Sequence, residues 1–319
     1  MRPIRTITLV AKQTGLSVHT IRVWEKRHGA VRPVRASNKR RLYTDEEVER
    51  LRLLRQATMA GHTIGQIARA SAAELRRLLR QDLTTRNTDP AAGARQERSV
   101  ANDLIAAALR ATERLDSNDL RDLLDRAAVE LGSPAMLHKF VGPFAEQVGE
   151  RWRAGDLNVA HEHFATSNIT GFLANFARPY PTGNTAHHLV LATPSGQLHE
   201  LGAIIAAAAA RSHGWRATYL GSSLPMEELI GVARKLKPRA IGLSIVFPPD
   251  DDLLIADLAK LPKLLPPDCA VIVGGRSVRT YADVLKKIKA TVVSSLEDLY
   301  PVLDTLQRAR KTAAAKRAK

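Results

Sequence analysis

From residue 186 onward the chain alternates short apolar runs with longer helical stretches, and this alternation limits the fold more than any other feature. Strands are predicted at 188–193, 217–220, 240–245, 270–273 and 291–293. Helices are predicted near 200–213, 226–236, 251–264 and 279–288. Strand–helix alternation of this kind closes into a parallel, doubly wound, Rossmann-like (flavodoxin-like) α/β sheet, with ligands bound beyond the strand C-termini.

The preceding residues have a different texture. Between 100 and 180 the pattern is helical only, with Leu104, Leu109, Leu115, Leu120, Leu123, Leu124 and Leu131 supplying the apolar positions of a four-helix bundle. A polar stretch at 81–99, with Asn87, Asp89, Pro90 and Gly93, is predicted to be an irregular linker. The turn-rich stretch 178–184 marks a second break. The expected division is therefore a head at 1–80, a linker at 81–99, a helical bundle at 100–180, an α/β domain at 186–305 and a basic tail at 306–319, the last frayed and solvated.

Charge follows the same division. Residues 1–80 hold 18 Lys and Arg against 6 Asp and Glu, and residues 308–319 hold 6 basic residues and no acid. The 227 residues between carry 24 basic and 26 acidic groups, so the net charge of +16 belongs to the ends. A basic terminal module on a near-neutral body is the electrostatic footprint of a nucleic-acid binder with a separate ligand domain. The N-terminus lacks the apolar core of a secretory signal, and no apolar run approaches the roughly 18 residues of a membrane span. A cytoplasmic location is expected. The single cysteine, Cys269, lies in an apolar run and is expected to be a buried strand thiol.

Within the head, residues 7–14 are predicted to be a helix, 15–17 a turn and 18–28 a second helix. Gly15 suits a left-handed cap and Ser17 an N-cap. The second helix would offer His19, Thr20, Arg22, Lys26 and Arg27 to a major groove. Residues 29–43 form a turn-rich, cationic stretch suited to gripping phosphates, with Lys39, Arg40 and Arg41 at its centre. Thr44 is placed to cap the next helix. The segments 20–29, 40–43 and 45–51 (TIRVWEKRHG, RRLY, DEEVERL) resemble the winged helix-turn-helix of MerR-type regulators over about residues 5–80. The resemblance places Tyr43 with the DNA-contacting wing and makes Trp24, where many members have tyrosine, a packing residue.

In the α/β domain, His199 lies between a strand and an alanine-rich helix, where its imidazole can enter the ligand crevice. Gly202 keeps that helix slim, and Ser244 and Gly274-Gly275 end two strands, so that backbone can approach a ligand closely. These elements resemble the Asp-x-His-x-x-Gly, Ser-x-Leu and Gly-Gly signatures of cobalamin-binding domains. The resemblance implies that His199 is the lower axial ligand to cobalt, in place of the cofactor's benzimidazole. The nucleotide tail would then run past Gly202, Ser244, Gly274 and Gly275. Gln197 stands where the family has an acid that orients the histidine, and its side-chain oxygen is expected to serve as a neutral substitute. Val246 replaces the leucine.

Trp152, followed after nine residues by Glu162-His163, resembles the helical cap of CarH-type light-responsive repressors. By that resemblance Trp152, Val159, Glu162 and His163 cover the upper axial adenosyl group of adenosylcobalamin. Arg153 stands where some relatives place a histidine, and His161 or His163 could serve instead. The implied protein is a non-enzymatic repressor, a homo-oligomer (dimer or tetramer) on double-stranded operator DNA, disassembled when light cleaves the cobalt–carbon bond. Two alternatives stay open: a corrinoid carrier for methyl transfer, and a MerR-type repressor answering to a protein partner without cofactor.

Overall fold

The computed structural model describes residues 5–16, 18–35, 41–59, 62, 64–84, 90–176 and 186–317, in two compact units, Met1–Pro181 and Thr182–Lys319. Among the described residues, the first unit opens with β1 (Arg5–Thr6), α1 (Ile7–Thr14), α2 (Val18–His28), β2 (Val34–Arg35) and β3 (Arg41–Tyr43). It continues through α3 (Asp45–Met59), α4 (Ile64–Ile67) and α5 (Ala72–Thr84). Gly15 ends α1 in the left-handed region at φ +69°, its N–H donating to Ala11 O at 2.8 Å. A side chain there would also meet the Arg55 guanidinium, which donates to Thr14 O at 3.1 Å. At the start of α3 the Thr44 N–H donates to Glu47 Oε2 (2.8 Å) and the Glu47 N–H donates to Thr44 Oγ1 (3.3 Å). This is a reciprocal capping box. β3 pairs antiparallel with β1 and with β2, and Ile21, Trp24, Tyr43, Leu51 and Leu54 form the core beneath.

The bundle comprises α6 (Pro90–Glu113), α7 (Ser117–Glu130), α9 (Gly142–Ala154) and α10 (Val159–Phe176). The short α8 (Ser133–Ala135) and a π-helical turn (Met136–Val141) lead into α9. Leu104, Leu120, Leu124, Phe140, Phe144 and Ile169 fill its interior. Asp116 caps α7 by accepting from the N–H groups of Asn118 and Asp119. Of the linker predicted at 81–99, residues 81–84 close α5 and 90–99 form the first turns of α6. Every described residue of 81–99 is thus helical, against the expectation of an irregular linker. Pro90 sits where a helix has no use for an N–H, and the polar turns after it are helical without an apolar stripe. The break at 178–184 lies outside the described residues.

The second unit is the doubly wound sheet. Its strands are β4 (His188–Ala192), β5 (Arg216–Tyr219), β6 (Ala240–Ser244), β7 (Ala270–Gly274) and β8 (Thr291–Val293). The order is β5-β4-β6-β7-β8, every pair parallel. The order therefore reverses between β4 and β6, and this switch point is where such sheets bind ligands. β4 and β6 are buried along their whole length, as their unbroken apolar sequences require. Five helices cover the sheet: α11 (Leu201–Ser212), α12 (Met226–Leu236), α13 (Asp252–Leu264), α14 (Ala282–Lys287, entered by a 3-10 turn at Arg276–Tyr281) and α15 (Leu296–Arg317). α15 carries helix into the region predicted to be a frayed tail. Asp251 caps α13, accepting from Leu253 and Leu254 N–H. Cys269, expected to be a buried strand thiol, is part-buried and immediately precedes β7; desolvation still pushes its thiol up to about 11, as in an inert thiol.

Candidate functional site

In the α/β unit the loop from Thr193 to Glu200 carries His199 out of β4 at the switch point. The loop is braced from two sides. Towards β5, the Ser223 N–H donates to Gln197 O (3.2 Å) and Thr193 Oγ1 (2.9 Å), while the Gly196 N–H donates to Ser223 Oγ (3.1 Å). Towards β6, the fully buried Gln197 side chain takes over. Its Oε1 accepts from Val246 N–H (2.8 Å) and Phe247 N–H (2.9 Å), and its Nε2 donates to Pro248 O (2.9 Å). This overturns the expectation that the Gln197 oxygen orients His199, because both lone pairs of that oxygen are engaged by the loop after β6.

The His199 ring meets the edge of the Phe247 ring, with centroids 6.2 Å apart and planes at 82°. Glu200, at the entrance to α11, accepts a hydrogen bond from the Tyr219 hydroxyl at 2.5 Å. Burial, reinforced by that carboxylate, holds the Tyr219 hydroxyl protonated well above the usual phenol range. Beside the part-exposed imidazole, its chain neighbour Leu198 (70% exposed) and Phe247 (61%) form an apolar rim.

The glycines divide by what replaces their missing side chains. A Cβ on Gly202 would stand 3.2 Å from Ser244 Oγ, a side chain that can rotate. A Cβ on Gly275, at φ +111°, would lie 2.8 Å from the carbonyl carbon and nitrogen of Ile245 and closer still to its oxygen. Gly274 abuts Val293. Gly275 is thus required by the close passage of backbone after β6, which Ile245 N–H to Gly274 O (2.9 Å) and Ser277 Oγ–H to Val246 O (2.6 Å) also fasten. The Gly202–Ser244 gap, by contrast, faces a side chain that can rotate.

In the helical unit, Trp152 lies in the last turn of α9 and is 36% exposed, beside the left-handed cap Gly155. Asn158 and His161 cap the next helix reciprocally: the Asn158 N–H donates to His161 Nδ1 and the His161 N–H to Asn158 Oδ1, each at 3.2 Å. Val159 and His163 are exposed on the first turn of α10. Glu162 Oε2 meets His163 Nδ1 at 2.7 Å, and its Oε1 accepts from Thr166 Oγ1–H at 2.9 Å. The Trp-x9-Glu-His pattern therefore straddles one helix–helix turn. Arg153 Nε donates to Gly149 O along its own helix.

In the head, Arg22 and Lys26 stand exposed on α2. Two of the predicted DNA contacts are corrected: Thr20 is buried, and Tyr43 is 0% exposed with its hydroxyl 3.4 Å from Glu25 Oε2. Arg41 is half-buried, its Nε donating to both Glu25 oxygens (2.8 and 3.0 Å), so it ties the wing to the recognition helix. Arg27 pairs with Asp122 of α7 at 3.2 Å. The His19 side chain, Ser17, Lys39 and Arg40 lie outside the described residues. Sequence reading missed Arg50, which donates to the carbonyls of Ala30 (2.6 Å), Ala70 (2.6 Å) and Ala68 (2.5 Å), and so staples α3 to two loops. A lone arginine on a charged helix gives no sign of such a role.

A part-exposed imidazole beside apolar side chains suits a metal that brings its other ligands, as a macrocycle does. The apolar rim and the half-exposed ring fit a corrin face. Comparison with known proteins agrees. The model for "MerR HTH family regulatory protein" matches residues 5–74, and two models for "B12 binding domain" match residues 104–174 and 187–300. HTH-type transcriptional repressor CarH of Myxococcus xanthus is 31% identical over 294 residues, 92% of this chain and 95% of its own. HTH-type transcriptional repressor CarA of the same organism is 26% identical over 316 residues, 95% and 98% of the two chains. The structure of a monomethylamine corrinoid protein of Methanosarcina barkeri superposes with a TM-score of 0.53 at 14% identity. It covers 65% of this chain and 98% of its own, a likeness of fold.

Proposed function

Because the chain belongs to the CarH family of MerR-type, cobalamin-binding transcriptional repressors, we propose that it is a light-responsive repressor controlled by adenosylcobalamin. The observation that carries this proposal is the His199 imidazole, half-exposed at the β4/β6 switch point within an apolar rim. His199 would hold the cobalt of a bound cobalamin, and Leu198 and Phe247 would give the corrin an apolar surface to rest on. Gly202 and Ser244 leave the gap through which the tail enters. A bound adenosylcobalamin supplies a cobalt–carbon bond that light can break. Trp152, Val159 and His163, exposed in the helical unit, would contact the adenosyl group, and without it these groups lose that contact. That difference in contact is the free energy available to bias two states of the protein.

On the DNA side, Arg22 and Lys26 meet the operator and the wing grips phosphate. A homo-oligomer multiplies the modest affinity of each head, so loss of assembly is enough to release DNA. No helix among the described residues is long and apolar enough to cross a membrane.

The test is an absorption spectrum and an operator gel shift on protein loaded with adenosylcobalamin, in darkness and after green light. A photolysed spectrum together with loss of the shifted band is expected. A shift unaffected by light removes the photoswitch and leaves a cobalamin-binding repressor. A bound but light-inert corrinoid favours the carrier function.

A further inference from the structure

The structure gives Gln197 a job that an ionised carboxylate at this position could not do. Its amide accepts twice, from Val246 and Phe247 N–H, and donates once, to Pro248 O. A carboxylate could keep the two accepted bonds, but it would set a negative oxygen against the Pro248 carbonyl in place of an N–H donor. An amide satisfies all three groups without carrying a titrating proton, and the side chain is fully buried. The residues so fixed carry Phe247, whose ring stands edge to face with His199 although 61% of the residue is exposed. An exposed phenyl group held at that angle needs a constrained backbone, and Gln197 supplies the constraint across 50 residues of sequence.

We infer that Phe247 is the positioning residue for the His199 imidazole, and that Gln197 acts through it by clamping the loop 246–248. The two together replace the carboxylate that the family pattern places two residues before the histidine. The inference rests on His199 being the cobalt ligand. It has a consequence opposite to simple restoration of that pattern: Gln197→Glu weakens cobalt ligation instead of strengthening it.

The experiment is a spectral titration of the full chain with hydroxocobalamin, paired with the imidazole proton shifts of His199 in the cofactor-free protein. Phe247→Ala is expected to remove the ring-current shift on His199 and to raise the dissociation constant about tenfold, the low end of what loss of an orienting partner costs a metal site. Phe247→Trp is expected to restore both. Gln197→Glu is expected to move the His199 shifts towards those of Phe247→Ala and to weaken binding in the same direction. Tighter binding by Gln197→Glu, or unchanged shifts and affinity in Phe247→Ala, overturns the inference. A wild-type complex in which the cofactor keeps its own benzimidazole on cobalt overturns the ligand assignment beneath it, and is told apart by its spectrum before any variant is made.

Discussion

Gly275→Ala separates a glycine the fold needs from one a ligand needs. Gly275 has φ +111° and ψ 163°, a region essentially closed to residues with a Cβ, and holding such a residue there costs about 1–3 kcal/mol. The added methyl also meets the carbonyl carbon and nitrogen of Ile245 at 2.8 Å, atoms of a backbone hydrogen-bonded to Gly274 and Ser277. Forcing such a contact apart costs roughly 1–3 kcal/mol more. The total, about 2–6 kcal/mol, falls on the α/β unit whether or not a cofactor is present. For a unit of this size each kcal/mol lowers the melting temperature by roughly 3–6 °C, so a drop on the order of 10 °C or more is expected. Gly202→Ala is the control. It lies in a helix, meets only the rotatable Ser244 hydroxyl, and gains about 0.5–1 kcal/mol of helix propensity. The cofactor-free Gly202→Ala protein should melt no lower than the wild type while binding hydroxocobalamin more weakly. Circular dichroism of both variants without cofactor decides the matter. A Gly275→Ala protein that melts normally and merely fails to bind cobalamin would refute the close-approach argument.

Other perturbations probe the remaining elements. His188 accepts from Arg216 at Nδ1 (2.7 Å) and lies 2.8 Å from Thr218 Oγ1, and burial, with Arg216 second, lowers its pKa to about 4. The unfolded chain takes up this proton near pH 6.5 and the folded one does not. Stability of the α/β unit is therefore complete above that pH and falls by up to about 3 kcal/mol as pH drops to 4. His188→Gln should flatten that slope in urea titrations at successive pH values; an unchanged slope assigns it to another group. Asp122→Asn frees Arg27 from an exposed ion pair worth about 0.2–1 kcal/mol, so operator binding should tighten by no more than roughly fivefold in fluorescence anisotropy. Weakened binding would mean that the pair orders the head for DNA. Arg22→Ala should lower the salt dependence or the base selectivity of DNA binding, whereas Tyr43→Phe should change neither, because Tyr43 is buried.

The sheet was legible in the sequence because short apolar runs such as 189–192, 240–243 and 270–273 alternate with helical stretches, and the predicted strand ends lie within a residue or so of those observed. The helix-turn-helix was equally plain, since Gly15 and the Thr44–Glu47 capping box are local signals. The first turns of α6 were not legible: Pro90 and Gly93 read as loop, and a solvated helix carries no apolar period. At the site, the sequence located His199 but could not say what surrounds it. The partners of Gln197 lie 49 to 51 residues away, across a strand order that local patterns do not encode. The same holds in the head, where Glu25 on α2 draws Arg41 and Tyr43 inward from 16 and 18 residues along the chain.

The central claim, that a protein imidazole at position 199 binds cobalt, is tested most directly by the electron paramagnetic resonance spectrum of the chain loaded with cob(II)alamin, with histidine labelled in nitrogen-15. Ligation by His199 turns the nitrogen splitting from a triplet into a doublet, and His199→Ala abolishes the doublet. A triplet that survives the labelling would place the cofactor's own base on the metal and contradict the account.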